Sequence, residues 1–258
     1  MSHLNGLERD YAARGLSVLG LTSEARDRTD AWVEAREIAF AYGFESGDVA
    51  RSLGVRSFPV AFLVAPDGRI VWEGHPRGVD AKLLDQHLEG ALEKPLYEWE
   101  GDAVAIREAF LAGRYADALR AAVELAREDP LGEEAQRVLG AILEARVASL
   151  EAALQRGDVL RAMQGAEALE PGLQGLPELE RVRAIRVRVT EDEALAAQLR
   201  VQERVLEVTA RTPKRKSECR QQMDALRRLS KGYEGTFVGQ QIKAKIQELY
   251  QLRNRLLY

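Results

Sequence analysis

The side chains best suited to covalent or metal chemistry in this 258-residue sequence are few: one cysteine, Cys219, and three histidines, His3, His75 and His87. A single cysteine excludes an intramolecular disulfide, a Cys-x-x-Cys redox pair and a cysteine-rich zinc site within these residues. Cys219 stands in Lys214-Arg215-Lys216-Ser217-Glu218-Cys219-Arg220, where neighbouring cations would favour a thiolate. No histidine lies close by to take its proton, so it reads as a helix residue without chemistry. The histidines are too scattered for a metal constellation, and Glu73 beside His75 is the only close carboxylate. These side chains assign no catalytic residue, no metal ligand and no cofactor. The basic stretch Arg211 to Lys216 reads as a solvated inter-helix loop opening at Thr212-Pro213, and it lacks the aromatic side chains on which bases stack. Arg156-Gly157-Asp158 is explained by a glycine helix stop followed by an aspartate cap.

The elements that would position any site belong to a globular chain. Hydrophobic residues make up 46% and charged residues 30%, with a net charge of -4 and a pI near 5.6. That balance allows one large or two ordinary domains and argues against a general nucleic-acid binder. No run approaches the roughly 18 apolar residues of a membrane helix. Met1-Ser2-His3-Leu4-Asn5 lacks the basic start and apolar stretch of a secretory signal, so the chain as written is expected in the cytoplasm.

Leu4, Leu7 and Tyr11 fall at helical spacing ahead of Gly15 and predict an amphipathic helix over His3 to Arg14. Leu16 to Leu21 is short and apolar, as expected of a parallel strand buried on both faces. Helical residues follow over roughly 29–37, then a strand-like stretch at Ile38, Phe40 and Tyr42, and a short helix over Asp48 to Leu53 stopped by Gly54. Phe58-Pro59 opens an apolar strand, Val60 to Val64, since the first residue of a strand can lack a ladder donor. Ala65-Pro66-Asp67-Gly68-Arg69 predicts a tight hairpin into Ile70-Val71-Trp72. Leu83, Leu84, His87, Leu88 and Leu92 place a helix over Asp80 to Leu92, with Asp80 as N-cap.

From Asp102 onward no strand pattern appears, and alanine, leucine, glutamate and arginine recur with a 3.6-residue period, predicting an all-helical second half. Leu111 to Leu119 has an echo in Gln155 to Met163, with Gly113 and Gly157 44 residues apart. In each copy a helix ends at glycine and another begins, the layout of a tetratricopeptide-like helical hairpin. Pro130, Pro171, Pro177 and Pro213 punctuate these helices. Ile242, Ile246, Leu249 and Leu256, interrupted by Arg253, form a core stripe of the last one. The expected organisation is residues 1–94, a linker over 95–101, and a helical domain over 102–258.

The order of Leu16–Leu21, Ser57-Phe58-Pro59, Val60–Val64, Pro66-Asp67-Gly68 and Ile70-Val71-Trp72 resembles the TlpA/ResA-type redoxins, a branch of the thioredoxin superfamily. Trp72-Glu73-Gly74-His75-Pro76 resembles the strand end of many such proteins. The resemblance implies a thiol-disulfide oxidoreductase acting on a protein or peptide thiol or disulfide, with no cofactor. Pro59 matches the family's cis-proline, and Ser57 and Phe58 would flank the substrate site. The family's Cys-x-x-Cys starts the helix that Ser2 to Leu7 resembles, so the match begins just downstream of the thiols. It also implies a middle strand, between the strands matched by Leu16–Leu21 and Val60–Val64, that this sequence lacks. The fold expected is therefore α/β plus all-α: a partial thioredoxin-like fold without its central Cys-x-x-Cys strand, then a helical-hairpin domain.

Two strand edges facing a gap would expose unpaired N–H and C=O groups. The expectation is a start codon assigned too late or a truncated gene, leaving this chain an inactive remainder of an enzyme whose full-length form the resemblance places in the periplasm. Stop codons upstream of Met1, with no apolar strand and no Cys-x-x-Cys in frame, would end that idea. The alternative is a non-enzymatic scaffold in which a degenerate thioredoxin-like module and the helical repeats bind peptides or a protein partner.

Overall fold

The computed structural model describes residues 2–92 and 94–256. A mixed α/β region with a few short strands is followed by a long all-helical region. Glu93, near the end of the expected first domain, lies outside the described residues, as do Met1, Leu257 and Tyr258. The chain divides into two compact units, Met1–Ala145 and Arg146–Tyr258.

The first unit opens with α1 (Ser2–Tyr11), whose Leu4, Leu7 and Tyr11 share one face. Leu7 is buried with Val79 and Leu84, and Leu16, Leu63 and Trp72 pack on the same cluster. A 3-10 turn over Ala12–Arg14 ends at Gly15 in the left-handed region, φ 90°. A Cβ there would lie 2.4 Å from the Leu92 carbonyl oxygen, so close approach and backbone conformation both demand glycine.

β1 (Leu19–Leu21) runs parallel to β2 (Ala41–Gly43), with α2 (Arg26–Ala35) forming the crossover. After α3 (Gly47–Ser52), β3 (Ala61–Val64) and β4 (Ile70–Gly74) form the antiparallel hairpin expected from the Pro66-Asp67-Gly68 turn. Gly68 takes φ 84°, and Asp67 Oδ1 accepts from the Arg69 amide at 3.0 Å. The four strands make two separate two-stranded sheets, β1–β2 and β3–β4.

Two elements differ from their sequence pattern. The expected strand buried on both faces is three residues long and half open: Leu19 and Leu21 share one face and are 60% and 45% exposed, while the Phe40 ring lies on the Gly20 face. The helix expected through Leu92 stops early: α4 (Ala81–Asp85) is capped by Asp80, which accepts from the Leu83 amide at 2.8 Å. Beyond it Gly90, at φ 80°, turns the chain so that the Leu92 carbonyl meets Gly15.

Residues 94–101 pack onto the helix that follows them. Trp99 is buried and donates its indole N–H to the Lys94 carbonyl at 3.1 Å. Arg107 of α5 (Ala103–Leu111) donates to the carbonyls of Leu96, Tyr97 and Trp99, each at 3.3 Å. Gly113, at φ 76°, then reverses the chain into α6 (Tyr115–Leu125), and the Phe110 and Tyr115 rings meet edge to face at 5.3 Å. α7 (Pro130–Gln155) supplies Ala135, Val138, Leu139 and Leu143 to the buried residues of this unit.

The second unit holds the end of α7, α8 (Val159–Leu169), α9 (Glu178–Glu191), α10 (Glu193–Thr209), α11 (Lys216–Leu229) and α12 (Phe237–Arg255). Gly157, at φ 88°, makes the turn from α7 to α8. Gln202 of α10, almost fully buried, closes that turn by donating to the Gly157 carbonyl at 2.7 Å and accepting from the Leu160 amide at 2.8 Å. Val205, Met223, Leu226, Val238, Ile242 and Leu249 form the second core cluster, with Ile246 packed against it.

Glu151 of α7 and Arg181 of α9 form a two-pronged ion pair at 2.9 and 2.7 Å. Hydrogen bonding from Arg181 holds the Glu151 carboxyl below its ordinary value. A carboxyl depressed in the folded state contributes stability above its unfolded pKa and loses it as pH falls through the folded one. Both side chains are about one-third exposed, so Arg181→Met is expected to lower stability at neutral pH by less than about 1 kcal/mol. Urea titrations of parent and variant should converge in acid, once Glu151 is protonated in both states.

Candidate functional site

Ser57, Phe58 and Pro59 are exposed side by side just ahead of β3, and the Phe58–Pro59 peptide is cis. Phe58 is 71% exposed. The site residues expected from the sequence therefore form one exposed stretch of chain leading into β3.

Backbone direction identifies the groups on the edge of β3 away from β4. The N–H and C=O of one strand residue point to the same side, and successive residues alternate. Ala65 donates to the Arg69 carbonyl at 2.8 Å across the hairpin, so Ala61 and Leu63 also turn toward β4, and Phe62 and Val64 turn away from it. In β1, Thr22 donates to the Gly43 carbonyl at 3.0 Å and accepts from Ser46 at 2.8 Å. Gly20 therefore faces β2, and Leu19 and Leu21 face the open edge.

α1 ties the two strand pairs together. Its Asn5 side chain donates to the Glu37 carbonyl at 2.7 Å and accepts from the Ala39 amide at 3.1 Å, just ahead of β2. Glu8 accepts from the Val18 amide at 2.7 Å, just ahead of β1. His3 Nε2 lies 2.8 Å from the Val79 carbonyl, beyond β4. Neither open edge carries a charge: residues 15–23 and 57–66 contain no Asp, Glu, Lys or Arg. On β2 the Tyr42 phenol is held above its ordinary value by its hydrogen bond to Asp30 at 3.1 Å.

Cys219 is fully buried in α11, which denies a substrate access to its sulfur. Among the described residues no group of His, Cys, Asp or Glu is arranged to hold a metal ion, and no helix is long and apolar enough to cross a membrane. The ties from His3, Asn5 and Glu8 were not legible in the sequence, since a polar residue on an amphipathic helix reads as solvated whether or not it reaches a distant carbonyl.

No protein-family model, curated protein or solved structure matches this chain.

Proposed function

We propose that residues 1–94 are the thiol-free portion of a TlpA/ResA-type thiol-disulfide oxidoreductase domain, whose central strand and Cys-x-x-Cys lie outside residues 1–258. The 258-residue chain itself then performs no disulfide exchange, and the helical region serves as a tetratricopeptide-like surface for a protein partner. The observation that carries this reading is the pair of open, uncharged strand edges on β1 and β3, joined through α1. Support also comes from the exposed Ser57-Phe58-Pro59 segment, which the resemblance assigns to substrate. In a completed site the Phe58–Pro59 surface would hold an extended substrate chain next to a thiolate made nucleophilic at a helix N-terminus.

The test is insulin-disulfide reduction by a longer chain translated in frame from upstream codons. That chain should be active and lose activity when either cysteine of its Cys-x-x-Cys becomes serine, while the 258-residue chain should be inactive. An upstream frame without such a pair, or an inactive longer chain, contradicts the proposal.

A second reading, a non-enzymatic scaffold, draws support from the burial of Cys219 and the exposure of Phe58, which together leave an apolar docking surface without a thiol. It forecasts peptide binding with no disulfide reduction in either chain.

A further inference from the structure

The overall charge of -4 hides a division along the chain. Residues 211–258 hold twelve Lys or Arg against four Asp or Glu, a net +8, while residues 1–210 hold 25 against 37, a net -12. Elsewhere helix arginines keep a carboxylate three residues away, as in Arg120–Asp117, Arg127–Glu124 and Arg204–Glu207. On α11, Arg220, Arg227 and Arg228 share one carboxylate at three or four residues, Asp224, and it pairs with Arg227 at 2.8 Å. Glu218, the other acidic residue of α11, is turned to the Lys214 and Arg215 amides at 2.7 and 3.2 Å. Among the described residues, Arg220, Arg228 and Lys231 form no ion pair, and all three are exposed.

We propose that the exposed face of α11 binds an extended segment of a separate polypeptide that is rich in Asp and Glu and carries no apolar anchor. Lys216, Arg220 and Arg227 recur at i, i+4 and i+11 on one side of the helix, with Arg228 beside them. Lys216 to Arg228 covers about 18 Å of helix, a length that roughly six residues of extended chain match. A guanidinium presents a fork of donors that fits a carboxylate, as Arg181 does for Glu151 in the same unit. Crowded cations on one face repel each other, and bound carboxylates relieve that repulsion. Every exposed residue of α11 is polar or charged, so the face lacks the apolar side chains that anchor most protein partners or insert into a lipid surface. A nucleic-acid duplex is disfavoured, because its charge continues past a patch of that length and is repelled by a chain that is negative overall. The inference stands on the charge of α11, outside the echoing segments at 111–119 and 155–163, and requires neither redox activity nor a repeat architecture.

The experiment uses the whole 258-residue chain and a capped, labelled, cysteine-free peptide with a Glu-Asp-Glu-Glu-Asp-Glu centre. The control peptide carries Gln-Asn-Gln-Gln-Asn-Gln, which keeps the size and removes the charge. Fluorescence anisotropy at low salt should show saturable binding that weakens about tenfold or more, roughly 1.4 kcal/mol, for the neutral peptide and for Arg220→Glu combined with Arg228→Glu. Salt at about 0.5 M should release the acidic peptide, since it screens exposed charges within a few Å. Arg9→Glu combined with Arg28→Glu removes as much charge from exposed sites of the first unit and should leave binding within about twofold. Both double variants replace exposed side chains and should unfold in urea with the parent, separating lost binding from lost fold.

Absent or equal binding of the two peptides overturns the proposal. So does an equal loss when Arg9 and Arg28 are reversed, which would mean that the charge of the whole chain is sensed. Tighter binding of a short DNA duplex, lost when Arg220 and Arg228 are reversed, overturns it in favour of a nucleic-acid partner. Growth of a dimer that the same reversal abolishes overturns it in favour of pairing between copies. Peptide binding alongside an inactive longer chain removes the oxidoreductase reading and keeps this one; an active longer chain with no peptide binding does the reverse.

Discussion

Replacing Trp99 by alanine is expected to lower the stability of the Met1–Ala145 unit by about 3–5 kcal/mol, the usual cost of emptying a buried tryptophan site. The indole is almost completely buried and its N–H is bonded to the Lys94 carbonyl. Arg107 gathers the carbonyls of Leu96, Tyr97 and Trp99 around that ring. Truncation would remove the packing that holds these carbonyls within reach of the guanidinium, so part of the hydrogen-bonded network should go with it. The remaining tryptophans, Trp32 and Trp72, both lie in this unit. Their fluorescence in a urea titration therefore reports its unfolding alone. A variant that unfolds within about 1 kcal/mol of the parent would show that residues 94–101 are a loose tether, since surface changes fall in that range.

Gln202→Leu is expected to cost the helical unit about 1–3 kcal/mol, because one almost fully buried side chain satisfies two partly buried backbone groups. Leucine has nearly the same volume, so packing changes little, yet the Gly157 carbonyl and the Leu160 amide lose their partners together. Each unsatisfied buried group costs about 1–3 kcal/mol, well above the net gain from forming one hydrogen bond. The second unit contains no tryptophan, so its transition should appear in far-ultraviolet circular dichroism and shift to lower urea while tryptophan fluorescence stays in place. A shift of both signals would mean that the α7–α8 turn supports more than the unit containing it.

Gly157 was legible in the sequence as a helix stop, because a glycine between two helical patterns has few other uses. Gln202 was not: its partners lie 45 and 42 residues away, and a glutamine within a charged helix carries no local sign of burial. The same contrast runs through the strands. Pro66-Asp67-Gly68 specifies its hairpin through backbone chemistry alone, and β3 and β4 follow. The apolar run Leu16 to Leu21 predicts burial on both faces, but the face that carries Leu19 and Leu21 is open to solvent. Ser57, Phe58 and Pro59 were readable as a group through their place in a resemblance. Which backbone groups face the open edge depends on hydrogen-bond direction, which side-chain pattern does not encode. Residues 95–101 read as a linker from their position between two patterns, and only the packing of Trp99 and Arg107 reveals how they are held.

Among the described residues, β1 and β3 each keep one edge without a paired strand. Amide hydrogen exchange of the dilute 258-residue chain tests it residue by residue, since amides in a ladder exchange only on opening and amides on a free edge exchange with solvent. The account predicts slow exchange at Gly20 and Leu63, which face β2 and β4, and fast exchange at Leu19, Leu21, Phe62 and Val64. Equal protection across all six amides in a monomer would mean that the edges are already paired, contradicting the account.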